Sequence, residues 1–244
     1  MTKIDKRKSY KIVLDVETAG DMEKPLVYDL GFVVADKQGN IYEKYSFIID
    51  EIFCQDGLMQ SAYYSEKIPQ YLENLENGTM AKVSFLHAKK VLFSLIRAYG
   101  IRELFAYNAS FDFYKALNAT QEHLTGRKYF FTWEQNKAVR INCIWSMAST
   151  TIFQQKTFPK WAVENGFYNP KTKNIQTSAE VAYAWLTKNE SFSEKHTGLE
   201  DVLIETKIMA WCFKQHKKMN RKVDRLAWRK VQTFHKEEIA QLLG

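Results

Sequence analysis

Residues 10–17 (YKIVLDVE) read as a buried strand whose β-branched, apolar run ends in two acids. Side chains two apart on a strand share a face, so Asp15 and Glu17 project together at a spacing suited to one cation. Two carboxylates closing an apolar strand are costly unless paired or bound to metal. The tripeptide alone is a weak signal. With Asp and Glu each at roughly 6% of residues, D-x-E arises about once by chance in a chain this long, and Asp21-Met22-Glu23 is a second copy. Only the first follows a strand pattern.

Two more strands follow, at 26–36 (LVYDLGFVVAD) and 41–50 (IYEKYSFIID), joined by the turn signal Lys37-Gln38-Gly39-Asn40. Residues 51–79 are rich in Tyr and Phe and lack a clear period. Helical spacing predicts a helix over 81–99, then a short strand at 103–107, a helix from Ser110, and a fifth strand at 138–144. The rest reads as helices at about 144–153, 158–165, 178–187 and 198–216, followed by a basic segment. Strands first and then alternating strand and helix predict an α/β layered domain over 1–215. Residues 216–244 form a basic helical extension, either part of the same globule or appended to it.

Two further sites carry chemistry-bearing residues. Asp112 follows the short strand in Asn108-Ala109-Ser110-Phe111-Asp112, with Ser110 as the expected N-cap. An Asp there can equally just answer the helix dipole. Thr197-Gly198-Leu199-Glu200 reads as a capping box, which fixes Asp201 in the first turn of a helix and leaves His196 on the loop before it. The other histidines, His87, His123, His216 and His235, have no such neighbour and read as structural.

The charge balance points the same way. The net charge is +7, yet the middle of the chain is acidic: residues 1–11 hold five basic side chains to one acid, residues 214–244 nine to three, and the remainder 21 to 24. Basic ends on an acidic body suit a polyanionic partner and a cluster of acids with a cation to hold; solvated surface lysine is the plainer alternative. No apolar run is long enough for a membrane span. Cys54, Cys143 and Cys212 form no C-x-x-C pair, as expected of reduced thiols in a cytoplasmic protein.

Hydrolysing a phosphodiester needs a hydroxide at neutral pH, in-line geometry and neutralised charge on the leaving oxygen. Two divalent ions held by hard carboxylate ligands meet those needs, and a histidine titrating near neutrality is a natural base for the attacking water. In this order, D-x-E-T (Asp15, Glu17, Thr18), N-x-x-F-D (Asn108, Phe111, Asp112) and H-x-x-x-x-D (His196, Asp201) resemble the three motifs of the DnaQ-like, DEDDh 3′→5′ exonucleases. The resemblance spans about residues 9–215, and 28–34 (YDLGFVV) is similar to the family's second strand.

The resemblance implies an RNase H-like fold, a mixed five-stranded sheet flanked by helices. It implies two Mg²⁺ or Mn²⁺ ions, the first held by Asp15, Glu17 and Asp201 and the second by Asp15 and Asp112. His196 would be the base, and Thr18, Asn108 and Phe111 would bind the terminal nucleotide. Gly198 departs from the Ala usual in the family and is expected to weaken the helix start slightly; Asn142, where an acid sometimes stands, reads as structural.

The expected substrate is a single-stranded DNA 3′ end, with a polymerase or other replication protein as a further partner. An exoribonuclease or oligonucleotide trimmer on the same fold, and a non-catalytic nucleic-acid-binding module, stay open. So does the aromatic segment, where Phe53, Tyr63, Tyr64 and Tyr71 either stack on bases or pack the sheet edge. The basic tail either presents cations to the strand or completes the core.

Overall fold

The computed structural model describes residues 4–244; Lys3, one of the N-terminal basic residues, lies outside them. The sheet is built from β1 (Lys11–Ala19), β2 (Leu26–Ala35), β3 (Ile41–Ile49), β4 (Ala81–Val83), β5 (Glu103–Ala106) and β6 (Arg140–Cys143). Its order is β4-β3-β2-β1-β5-β6. The β1–β2 and β2–β3 pairs are antiparallel, and the other three pairs are parallel. The sheet is therefore mixed, but six-stranded where five strands were expected. The additional strand, β4, falls in what reads as the first turn of the 81–99 helix. Ala81 and Lys82 instead pair with Phe47 and Ile48. The helix starts at Phe85, where the Ser84 hydroxyl caps it by accepting from the His87 amide. Three residues are too few to show a strand period.

Alternation along β1 decides the layout of the two faces. Ile12, Leu14 and Val16 enter a core that includes Leu92 and Leu95 of the helix Phe85–Ala98. Val13 points the other way, into a second core with Val202, Ile208 and Met209 of the helix Gly198–Lys214. Asp15 and Glu17 share the face of Val13. They therefore lie on the side covered by that long helix.

The helix can sit low on the sheet because two glycines meet. A Cβ built on Gly31 in β2 would come 2.1 Å from the Gly198 carbonyl carbon, and one on Gly198 would come 2.7 Å from the Gly31 nitrogen. Gly198 is thus a packing requirement of this chain, and the expectation of a slightly weakened helix start misses its role.

The C-terminal segment forms two short helices, Ala227–Phe234 and Lys236–Leu243. Ala227, Val231 and Ile239 are buried, and the His235 ring bonds through Nε2 to the Phe153 carbonyl oxygen at 2.8 Å. Val223, Leu226, Ala227, Val231 and Phe234 recur at helical spacing in the sequence, but of these only Ala227 and Val231 are buried. Asp224 turns the chain by accepting from the Leu226 amide, and Leu226 and Phe234 stay exposed. No helix among the described residues is long and apolar enough to cross a membrane.

Candidate active site

Three elements deliver the acids. β1 supplies Asp15 and Glu17 from one face. Asp112 follows a tight turn in which the Asn108 carbonyl accepts from the amides of Phe111 (2.7 Å) and Asp112 (3.1 Å). Asn108, not Ser110, is the residue before this helix. From Asp112 to Ala116 the helix widens into a π turn, a feature frequent at functional sites. The Ser110 hydroxyl is free for another role: it accepts from Arg225 Nε at 3.0 Å.

Asp201 comes from the first turn of the helix Gly198–Lys214. Thr197 is its N-cap residue, but the expected capping box does not form. The Thr197 hydroxyl donates to Glu200 Oε2 at 2.9 Å, and Glu200 also pairs with Lys195. The helix start is held elsewhere, by the Gly198 amide donating to Asp29 Oδ2 at 2.8 Å.

His196 sits before that helix in the left-handed region, at φ +54°. Its ring stacks on Tyr64, with centroids 4.1 Å apart and planes 11° from parallel. Its carbonyl accepts from the Tyr71 hydroxyl at 3.3 Å. The aromatic segment thus divides. Tyr71 and Phe53 pack with Tyr28 in the core, Tyr64 orients the histidine, and Tyr63 is exposed.

These side chains line one cleft of about 680 Å³. Asp15, Glu17, Asn108, Phe111, Asp112, His196 and Asp201 all face it. Thr18 does not line it, because it follows Glu17 on the strand and alternation turns it to the opposite face. Glu194 and Glu205 line the cleft as well, and the sequence reading missed both. Glu205 lies one helical turn beyond Asp201, a spacing that could have exposed it. Asp29 was missed too, although it interrupts an apolar strand just as Asp15 does.

Among the described residues no Lys or Arg lines the cleft, so no cation there offsets the burial that raises its acids. Burial, then the charges of Glu205 and Asp112, push Asp15 well up; burial, then Asp29, does the same to Glu17. Burial raises Asp112 and Glu205 as well. Asp201 is pushed up to about 7 and Glu194 to about 8, burial again being the main cause. Asp29 rises to about 6 through burial, against the hydrogen bond from Gly198.

Burial lowers His196, so its imidazole is neutral at neutral pH. Its Nδ1 stands 4.0 Å from Asp201 Oδ2, close enough for an ion pair but too long for a hydrogen bond.

The donor set fits hard divalent cations. Asp112 Oδ2 and Asp201 Oδ1 are buried oxygens without a hydrogen-bond partner, and buried acceptors are rarely left so. Glu17, His196 and Asp201 each offer a ligand atom within 4.8 Å of the others. Carboxylate oxygens favour Mg²⁺, Mn²⁺ or Ca²⁺ over thiophilic metals.

No protein-family model and no curated protein match the chain. Among solved structures it is similar to a 3′-exonuclease captured in specific recognition of the 3′ end of a histone mRNA stem-loop. That likeness has a TM-score of 0.55 at 14% identity and covers 88% of this chain and 85% of the other. A second similar structure is cell-death related nuclease 4, with a TM-score of 0.50 at 11% identity, covering 87% of this chain and 66% of the other. At such identities the likeness is one of fold. The protein is an α/β molecule of the RNase H-like type, a fold it shares with the 3′-exonuclease structure.

Proposed function

We propose that this protein is a metal-dependent 3′→5′ exonuclease of the DEDDh type, releasing 5′-mononucleotides from the 3′ end of single-stranded DNA. One observation carries the reading: Asp15, Glu17, Asp112 and Asp201 converge with His196 on a cleft that no Lys or Arg among the described residues lines. The similarity in fold to a 3′-exonuclease supports it.

Two bound Mg²⁺ or Mn²⁺ ions would supply Lewis acidity to the attacking water and to the departing oxygen. Asp15, Glu17 and Asp201 would hold one, and Asp15 and Asp112 the other. His196, neutral and steadied by Tyr64, takes the proton from the water that attacks phosphorus. The bond from phosphorus to the 3′ oxygen of the preceding nucleotide breaks, and that oxygen gains a proton. The phosphate leaves on the terminal nucleotide as a 5′-monophosphate. Asn108 and Phe111, on the cleft wall beside Asp112, contact that nucleotide.

An exoribonuclease is the second reading, favoured by the RNA bound to the similar 3′-exonuclease. Matched 5′-labelled DNA and RNA strands, incubated with Mg²⁺ or Mn²⁺, separate the two. The account expects a ladder shortening by single nucleotides and a mononucleotide product carrying a 5′-phosphate. Internal fragments or 3′-phosphates would contradict it.

A further inference from the structure

The cleft has a second wall, opposite in character to the acidic one. It is formed by the segment 169–178 together with Trp145 and Trp228. Of its residues, Asn169, Thr172, Asn174, Gln176, Thr177 and Ser178 line the cleft with neutral polar side chains beside the two indoles and Ile175, and hydrogen bonds fix its backbone. The Trp145 indole donates to Thr177 Oγ1 at 2.9 Å, and the Tyr107 hydroxyl donates to the Thr177 carbonyl at 2.7 Å.

The C-terminal segment completes this wall. Gln232 clasps the backbone of Ile175, accepting from its amide at 3.0 Å and donating to its carbonyl at 2.9 Å. Trp228, one helical turn before Gln232, then faces the cleft while remaining only partly buried. Arg225, three residues earlier, is exposed and bonded to Ser110, so its guanidinium stands beside the turn that carries Asp112.

We propose that this wall is a nucleotide-gripping subsite for single-stranded nucleic acid, in which Trp228 stacks on a base and Arg225 holds a backbone phosphate next to the acidic site. The inference rests on the exonuclease reading of the same cleft and assigns the strand a path along its other side. The chemistry matches each part. An indole face accepts any base and discriminates little among sequences. A guanidinium fork suits a phosphate. It also offsets the repulsion that a cluster of acids exerts on an incoming polyanion.

Fluorescence anisotropy with labelled strands of about ten nucleotides, one oligothymidylate and one oligouridylate, tests the subsite. Ca²⁺ fills the cation sites in this assay. Trp228→Ala weakens binding about 5- to 150-fold, the ratio given by about 1–3 kcal/mol of stacking at 1.4 kcal/mol per tenfold. Trp228→Phe keeps a ring and restores most of the affinity. Arg225→Ala lowers the slope of log K against log salt by about 0.7, the loss of one phosphate contact. A weakened Trp228→Ala with an unchanged melting temperature supports the subsite, and the better-bound of the two strands names the sugar it takes.

Equal binding by Trp228→Ala and wild type, or no binding by wild type, overturns it. If wild type binds through Trp228 yet releases no nucleotide with Mg²⁺ or Mn²⁺, the subsite stands and the exonuclease reading fails.

Discussion

The Gly198 amide donates to Asp29 Oδ2 at 2.8 Å, which ties the helix carrying Asp201 to the strand beside the one carrying Asp15 and Glu17. With the Gly31–Gly198 contact, this bond sets how far the third acid stands from the first two. Gly198→Ala places a Cβ 2.7 Å from a backbone nitrogen, which cannot move aside as a flexible side chain could. The expected cost is about 1–3 kcal/mol, read as a melting temperature lower by about 3–10 °C. Nucleotide release should fall with it, because Asp201 shifts. An Ala variant as stable and active as wild type would show that the helix does not need this approach.

The sequence made the site legible where a residue broke a pattern. Asp15 and Glu17 stand out because acids end an apolar strand, and Asp201 and His196 because a helix start fixes one and frees the other. Asp29 breaks its strand in the same way, but its role depends on a helix 169 residues away, and spacing cannot show that. The capping box misled because Glu200 has competing partners in Lys195 and the Thr197 side chain. β4 is too short to show a period, and the segment 169–178 has none. Its function as a wall comes from Gln232 and Trp145, which no local reading connects to it.

The acid cluster should make the metal-free protein less stable as pH rises. Burial holds Asp201 at about 7, above the ordinary 3.8, so the folded state binds this proton more tightly than the unfolded chain does. That stabilisation is complete below about pH 4 and is lost as pH climbs through 7. Asp201→Asn mimics the protonated form at every pH. In EDTA its melting temperature should match wild type near pH 4 and exceed it above pH 7 by roughly 10 °C. Added Mg²⁺ or Mn²⁺ should reverse the order, since only wild type gains the full binding energy. A wild type no less stable than the variant at pH 8 in EDTA would contradict this.

His196→Ala should lower turnover by about 10²-fold or more with little change in strand affinity, as expected for loss of a general base. Burial lowers its titration below 6.5, so the wild-type rate should be level at neutral pH and fall only in mildly acidic buffer. Calorimetric titration with Mn²⁺ addresses the other role its position allows, beside Glu17 and Asp201. Unchanged metal affinity in His196→Ala agrees with a base; a tenfold weaker affinity would make it a ligand.

Removing residues 221–244 should destabilise the protein as well as weaken its hold on nucleic acid. The cut takes away Val231 and Ile239, each contributing about 1.5–3 kcal/mol by burial. It also removes the Arg221 carbonyl that accepts from the Cys143 amide at 3.0 Å. The melting temperature should drop by roughly 10 °C. A truncated protein as stable as wild type would mean the segment adds nothing to the core.

The central claim is that the acids of three separate elements act together through bound cations. It is tested most directly by following mononucleotide release from a labelled single strand by wild type, Asp15→Asn and Asp112→Asn, at matched Mg²⁺ or Mn²⁺ and with folding checked by circular dichroism. The account predicts release by wild type that stops on adding EDTA, and loss of at least about 10³-fold in each folded variant, since each lacks a charged ligand that the transition state requires. Undiminished release by either variant, or release that persists in EDTA, would contradict it.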